Sequence, residues 1–87
     1  MQAEVVSPER VLFTGEAEMV VCRTTNGDVA FLEGHEPFLG MLAHGEIRVI
    51  NGTEEFAFVC TRGFVEVDGT HVRVISDDAT PSQGQAS

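Results

Sequence analysis

The sequence contains no tryptophan and no tyrosine, so any interior has to be filled by its six phenylalanines and by aliphatic side chains. Basic residues are scarce as well: 5 Lys and Arg stand against 14 Asp and Glu, a formal net charge of −9. That balance argues against nucleic-acid backbones and anionic lipid surfaces, both of which attract Lys and Arg patches. It fits a partner presenting a basic or polar surface, although solubility alone would also account for it. No window approaches the roughly 18 continuous apolar residues of a membrane-spanning helix. The start, Met1-Gln2-Ala3-Glu4, has neither the basic start nor the apolar core of a secretory signal, which points to the cytosol. The only two cysteines, Cys22 and Cys60, sit in apolar runs without CxxC or His-paired spacing. They are expected as buried free thiols in a reducing compartment.

What is present reads as strands. Eighty-seven residues that are 43% hydrophobic make one domain with a real core. Valine recurs from Val5 to Val74, and β-branched residues suit a pleated sheet. Glu4 to Val6 is a strand stopped by Ser7-Pro8, and Val11 to Phe13 is another, turned by Thr14-Gly15. In the next run, Glu16 to Arg23, alternation places Ala17, Met19 and Val21 on one face. Asn26-Gly27, Asn51-Gly52 and Asp68-Gly69 each lie between apolar runs, the pattern of two-residue type I′ hairpins. No apolar stripe of helical period and length is present. The expected fold is therefore all-β, a small antiparallel β-sandwich of about ten short strands in two sheets. From Asp77 the chain has no large apolar residue. A domain over residues 1–79 is thus expected to end in a disordered polar tail over 80–87.

The search for chemistry is mostly negative. There is no P-loop, no G-x-G-x-x-G and no G-x-S-x-G. His35 with Glu36 and His44 imitates a metal site, but the spacing matches no familiar zinc pattern. The pairs Glu16/Glu18 and Glu54/Glu55 read as solvated strand faces ahead of acid–base partners. No catalytic residue, cofactor or metal is assigned. The distinctive stretch is Thr25 to Leu42, where a polar Glu33-Gly34-His35-Glu36-Pro37 loop is pinned between two apolar runs. Loops held in this way often carry function.

Several segments, taken together and in order, resemble one family. They are S-P-E-R-V-L-F-T-G-E-A-E-M-V-V over 7–21, T-x-x-G-D-V-A-F-L-E-G-H-E-P-F-L over 24–39, H-G-E-I-R-V over 44–49 and G-F-V-E-V over 63–67. The family is the epsilon subunit of F-type ATP synthase, called delta in mitochondria. The resemblance runs from about residue 4 to residue 79. It implies a ten-stranded β-sandwich in the central stalk that binds the gamma subunit, rests on the c-ring and turns with the rotor. Such a subunit is non-catalytic, couples proton transport to ATP synthesis, and sits peripherally on the cytoplasmic side of the bacterial plasma membrane. By position, the resemblance makes Asp28 a residue facing the c-ring and His35, with Gly34 and Pro37, part of the gamma and c-ring junction. Ser7, Pro8 and Glu9, and the segment from Phe38 to Met41, become expected gamma neighbours.

Glu33 stands where the family has proline, which loses a fixed φ and adds a charge. The family's C-terminal helical hairpin has no counterpart before Ser87, so neither ATP binding nor an inhibitory arm is expected. The alternative expectation is a stand-alone β-sandwich adaptor or ligand-binding module that kept only the fold.

Overall fold

The structure is a computed structural model and describes residues 1–82. Within them the chain forms ten strands: β1 (Gln2–Ser7), β2 (Arg10–Glu16), β3 (Met19–Thr24), β4 (Gly27–Leu32), β5 (Phe38–Leu42), β6 (Gly45–Asn51), β7 (Glu54–Cys60), β8 (Gly63–Val67), β9 (His71–Ser76) and β10 (Ala79–Pro81). The hydrogen-bonded order is β10-β7-β6-β3-β5-β8-β9-β1-β2, with β4 on the other side of β3. A single residue pair, Thr24↔Leu42, joins β3 to β5. The path therefore bends there into two five-stranded halves, β4-β3-β6-β7-β10 and β5-β8-β9-β1-β2, as a sandwich requires. The pairing is antiparallel throughout except for β1 against β9, which run parallel with Val5 beside Val74.

Strand alternation fills the space between the halves. Val20, Cys22, Phe31, Ile47, Val49 and Phe58 face inward from one half, and Val5, Val65, Val67, Val72 and Val74 from the other. All of these are at most 5% exposed. With no indole or phenol to place, the core is built mainly of valine packed around Phe31, Ile47 and Phe58, and such interiors are closely packed.

The structure corrects four local expectations. Thr14-Gly15 is no turn, because β2 runs through it in register with β1; the chain turns instead at Pro8-Glu9 and at Ala17-Glu18. The inward face of β3 carries Val20, Cys22 and Thr24, with Met19 and Val21 only partly covered. Ala17 is buried just ahead of the strand, so extending the alternation from it inverted the faces. The hairpins are not type I′, which needs positive φ at both central residues: among the described residues no non-glycine residue has positive φ, whereas Gly27, Gly52 and Gly69 do. In the first hairpin Thr24 pairs with Gly27, so Thr25 and Asn26 form the loop. The Thr24 hydroxyl donates to the Gly27 carbonyl at 2.7 Å and accepts from the Asn26 N–H at 3.1 Å. Lastly, residues 80 and 81, expected in the tail, are strand. Thr80 and Pro81 belong to β10, which pairs with Val59 and Phe58 of β7. Backbone pairing and a buried Ala79 suffice there without a large side chain. Residues 83–87 of the expected tail lie outside the described residues.

Register also sorts the connections into two ends. Glu16–Glu18, the Glu33–Pro37 loop, Asn51–Glu54 and Asp68–Thr70 share the Gly34 end. At this end the Gly34 N–H donates to the Gly69 carbonyl at 2.8 Å, tying the halves together. The turns at Pro8, Asn26, His44, Arg62 and Asp77 share the opposite, Pro8 end.

Candidate interaction surface

The outer face of the β5-β8-β9-β1-β2 half does not follow the usual polar pattern. Met41 pairs with Phe64, Phe64 with Ile75, Ile75 with Val6, and Val6 with Val11. These five consecutive partners form an apolar stripe across five strands. Val11 is 61% exposed, Met41 58%, Phe64 50% and Ile75 36%. Large apolar side chains that line up in register on a solvent face mark an interaction surface, whereas scattered ones do not.

The end of the stripe on β2 depends on an irregularity. Between the pairs Val5↔Phe13 and Val6↔Val11 one residue of β2, Leu12, has no partner. Such a bulge reverses the side-chain alternation. Phe13 therefore packs against the core, while Val11, two residues earlier, joins Val6 outside.

One row nearer the Gly34 end, the same face reads Leu39, Glu66, Arg73, Glu4 and Thr14. Arg73 Nε donates to Glu4 Oε1 at 3.0 Å. An open groove of about 640 Å³ lies here, bounded by Glu4, Leu39, Glu66, Asp68, His71 and Arg73 and walled by Pro37 and Phe38. The Asp68 carboxylate accepts hydrogen bonds from the N–H groups of Thr70 and His71 at 3.2 and 2.9 Å. These bonds hold its pKa below the usual carboxylate range.

The ten residues proposed from sequence do not form one site. Ser7, Pro8 and Glu9 make the turn next to Val6 and Val11, where the Ser7 hydroxyl donates to the Arg10 carbonyl at 3.3 Å. Met41 lies in the stripe itself. Phe38 is half-buried and packs on Phe31, ring centroids 5.4 Å apart. Glu33, Gly34 and His35 lie at the Gly34 end. The His35 ring meets Phe31 edge-on at 4.9 Å, and its Nδ1 is 2.8 Å from the Glu36 carbonyl, which accepts. Asp28 lies on the other half, at the far end of β4, and accepts from Arg23 Nε at 2.8 Å. His44 turns at the Pro8 end, away from His35. Among the described residues no three His, Cys, Asp or Glu side chains are gathered as for a metal ion.

Phe64, Ile75, Val6 and Val11 were not singled out in the sequence, whereas Leu39 falls in the Phe38–Met41 segment expected at gamma. A signal existed for two of them. With Val65 and Val67 inward on β8, alternation turns Phe64 outward, and Val72 and Val74 do the same for Ile75.

Comparison with known proteins bears on this surface. The family model described as "ATP synthase, Delta/Epsilon chain, beta-sandwich domain" matches residues 1–82. An ATP synthase epsilon chain of Frankia casuarinae is 40% identical over 80 residues, covering 91% of this chain and 94% of that one. The epsilon chain of Chromohalobacter salexigens is also 40% identical over 80 residues, but the match spans only 57% of it. Among solved structures, a chain of the Euglena gracilis mitochondrial ATP synthase assembly of OSCP, F1 and c-ring superposes with a TM-score of 0.83 at 26% identity. The match covers 91% of this chain and 51% of the Euglena chain.

Proposed function

The chain belongs to the family of ATP synthase delta/epsilon chain β-sandwich domains, and from that premise we propose that it is a non-catalytic central-stalk subunit that docks on gamma through its outer apolar stripe. The observation that carries this reading is the unbroken register Met41–Phe64–Ile75–Val6–Val11 on a solvent face. A rigid sheet offering large apolar side chains supplies the desolvated centre that a stable protein interface needs. The Ser7-Pro8-Glu9 turn continues the stripe and forms its rim.

The c-ring contact falls to the β4 edge. β4 pairs only with β3, carries Asp28 at one end and runs into the Glu33-Gly34-His35 bend at the other. Laid along the ring, this edge brings both polar ends to the same surface. Rotor torque thus passes through a sandwich held on one face by gamma and on one edge by the ring, which couples ion transport to distant ATP synthesis. The subunit is peripheral: among the described residues no helix is long and apolar enough to cross a membrane, and partners hold it at the cytoplasmic side.

The test is binding to the purified gamma subunit of the same organism. Wild-type protein forms a complex that survives gel filtration. The double variant Phe64→Asp/Ile75→Asp, whose changes lie outside the core, remains folded by circular dichroism and does not bind. Unchanged binding by that variant would refute the stripe as the docking face. Failure of the wild type to bind would favour a stand-alone adaptor.

A further inference from the structure

The docking face has a charged sub-site beside its apolar centre. Glu4, Glu66, Asp68 and Arg73 bring three carboxylates and one guanidinium to the groove. Arg73 is already engaged by Glu4 at 3.0 Å. Glu66 has no ion-pair partner among the described residues, and Asp68 has only the His71 ring, 3.7 Å away. Glu66 and Asp68 are two residues apart and lie on one side of the sheet, so they are separated by roughly 7 Å along the strand. Directly across from Glu66 stands Leu39, 69% exposed, with Pro37 and Phe38 behind it. An apolar wall beside a pair of unneutralised carboxylates suits a side chain with a hydrocarbon stem and a cationic head.

We propose that this groove receives an arginine or lysine of the docked partner, carried one row, about 7 Å, from the apolar residues that cover Met41 and Phe64. The proposal rests on the stripe being the gamma-docking face and adds the chemistry of the partner segment. If that segment is a helix lying along the strands, the apolar and basic residues are four positions apart, a rise of about 6 Å. Continuity decides the placement: the groove and the stripe occupy adjacent rows of the same five strands, so a partner seated on one covers the other. Charge complementarity decides the occupant, because a second apolar residue there would bury two carboxylates without a counter-charge.

The experiment is calorimetric titration with the purified gamma subunit at about 50 and about 300 mM salt. It compares wild type, Glu66→Gln, Asp68→Asn, the double variant and a control, Glu54→Gln, in the Asn51–Glu54 turn of the other half. Asn at position 68 keeps an acceptor for the Thr70 and His71 amides, and Glu66 points to solvent, so all variants are expected to fold. Each groove variant weakens binding about tenfold at low salt, and the double variant also flattens the salt dependence. The control changes neither. If Phe64→Asp abolishes binding while the groove variants keep wild-type affinity and salt dependence, the groove takes no cation and the proposal is overturned, with gamma docking intact. If Phe64→Asp binds as wild type does, or wild type itself does not bind, docking by the stripe and the groove proposal fall together.

Discussion

Side chains of similar chemistry do opposite work according to the face they occupy. Phe58 is 3% exposed inside the sandwich and Phe64 is 50% exposed outside it. Phe58→Ala should lose about 3–5 kcal/mol, the cost of a vacated core volume. Phe64→Ala should stay within about 0.5 kcal/mol of wild type, since no cavity forms. Urea denaturation of both variants checks the contrast, and a large loss at Phe64 would make it a packing residue. The two thiols give a second prediction at this scale. Cys22 and Cys60 are free and buried; burial, with Cys60 nearby, pushes the Cys22 thiol up to about 12 from its ordinary 9.0. A group whose folded pKa is raised holds its proton more tightly in the native state. Its contribution is therefore complete below pH 9 and is lost as the pH rises toward 12, at up to about 1.4 kcal/mol per pH unit. Stability measured from about pH 8 to about pH 11 should fall, and Cys22→Ala should flatten that fall.

Elements show where the sequence was readable and where it was not. The hairpins could be placed because Asn-Gly and Asp-Gly pairs punctuate apolar runs. The Thr25-Asn26 loop, however, is set by the Thr24↔Gly27 register and the Thr24 hydroxyl, so glycine serves as the first residue of β4 and not as the turn's centre. The all-β sandwich, with no helix among the described residues, was legible from alternation and turn spacing. The Leu12 bulge was not, since only the partner strand reveals an unpaired residue, and with it went the outward position of Val11. β10 was missed because backbone pairing on β7 holds it and its side chains give no signal. The candidate surface was legible only in part: the Phe38–Met41 segment and the Ser7–Glu9 turn were singled out through family resemblance, while Phe64 was counted only among the six phenylalanines available to the interior. Gly63 shows how tight the β8–β9 pairing is. A Cβ there would lie 2.0 Å from the Ile75 carbonyl, at a φ of 155°. Gly63→Ala should therefore force the strands apart, cost about 1–3 kcal/mol and weaken gamma binding, because Phe64 and Ile75 flank the displaced pair. Thermal melting alongside gamma titration measures both effects. Wild-type stability in the Gly63→Ala variant would show that β8 can slide without loss.

At the scale of the whole molecule, the proposed docking on gamma and on the c-ring needs two separate surfaces, and the fold offers two candidates. The stripe and groove belong to the outer face of one half, while β4 is an edge of the other, so in the proposed arrangement gamma and the c-ring would not compete. Asp28 and Leu32, four residues apart on β4, span about 13 Å, and the His35 bend extends the edge further. A contact along the whole edge predicts that Asp28→Cys and Glu33→Cys each cross-link to cysteines placed in the polar loops of the c-ring. A contact at one tip predicts that only one does. Neither native thiol competes in this measurement, because both are buried and protonated. Phe64→Cys should cross-link to gamma and not to the c-ring. Cross-linking of residue 64 to the c-ring would mean that the sandwich sits on the ring by its apolar face, and the assignment of face and edge would have to be exchanged.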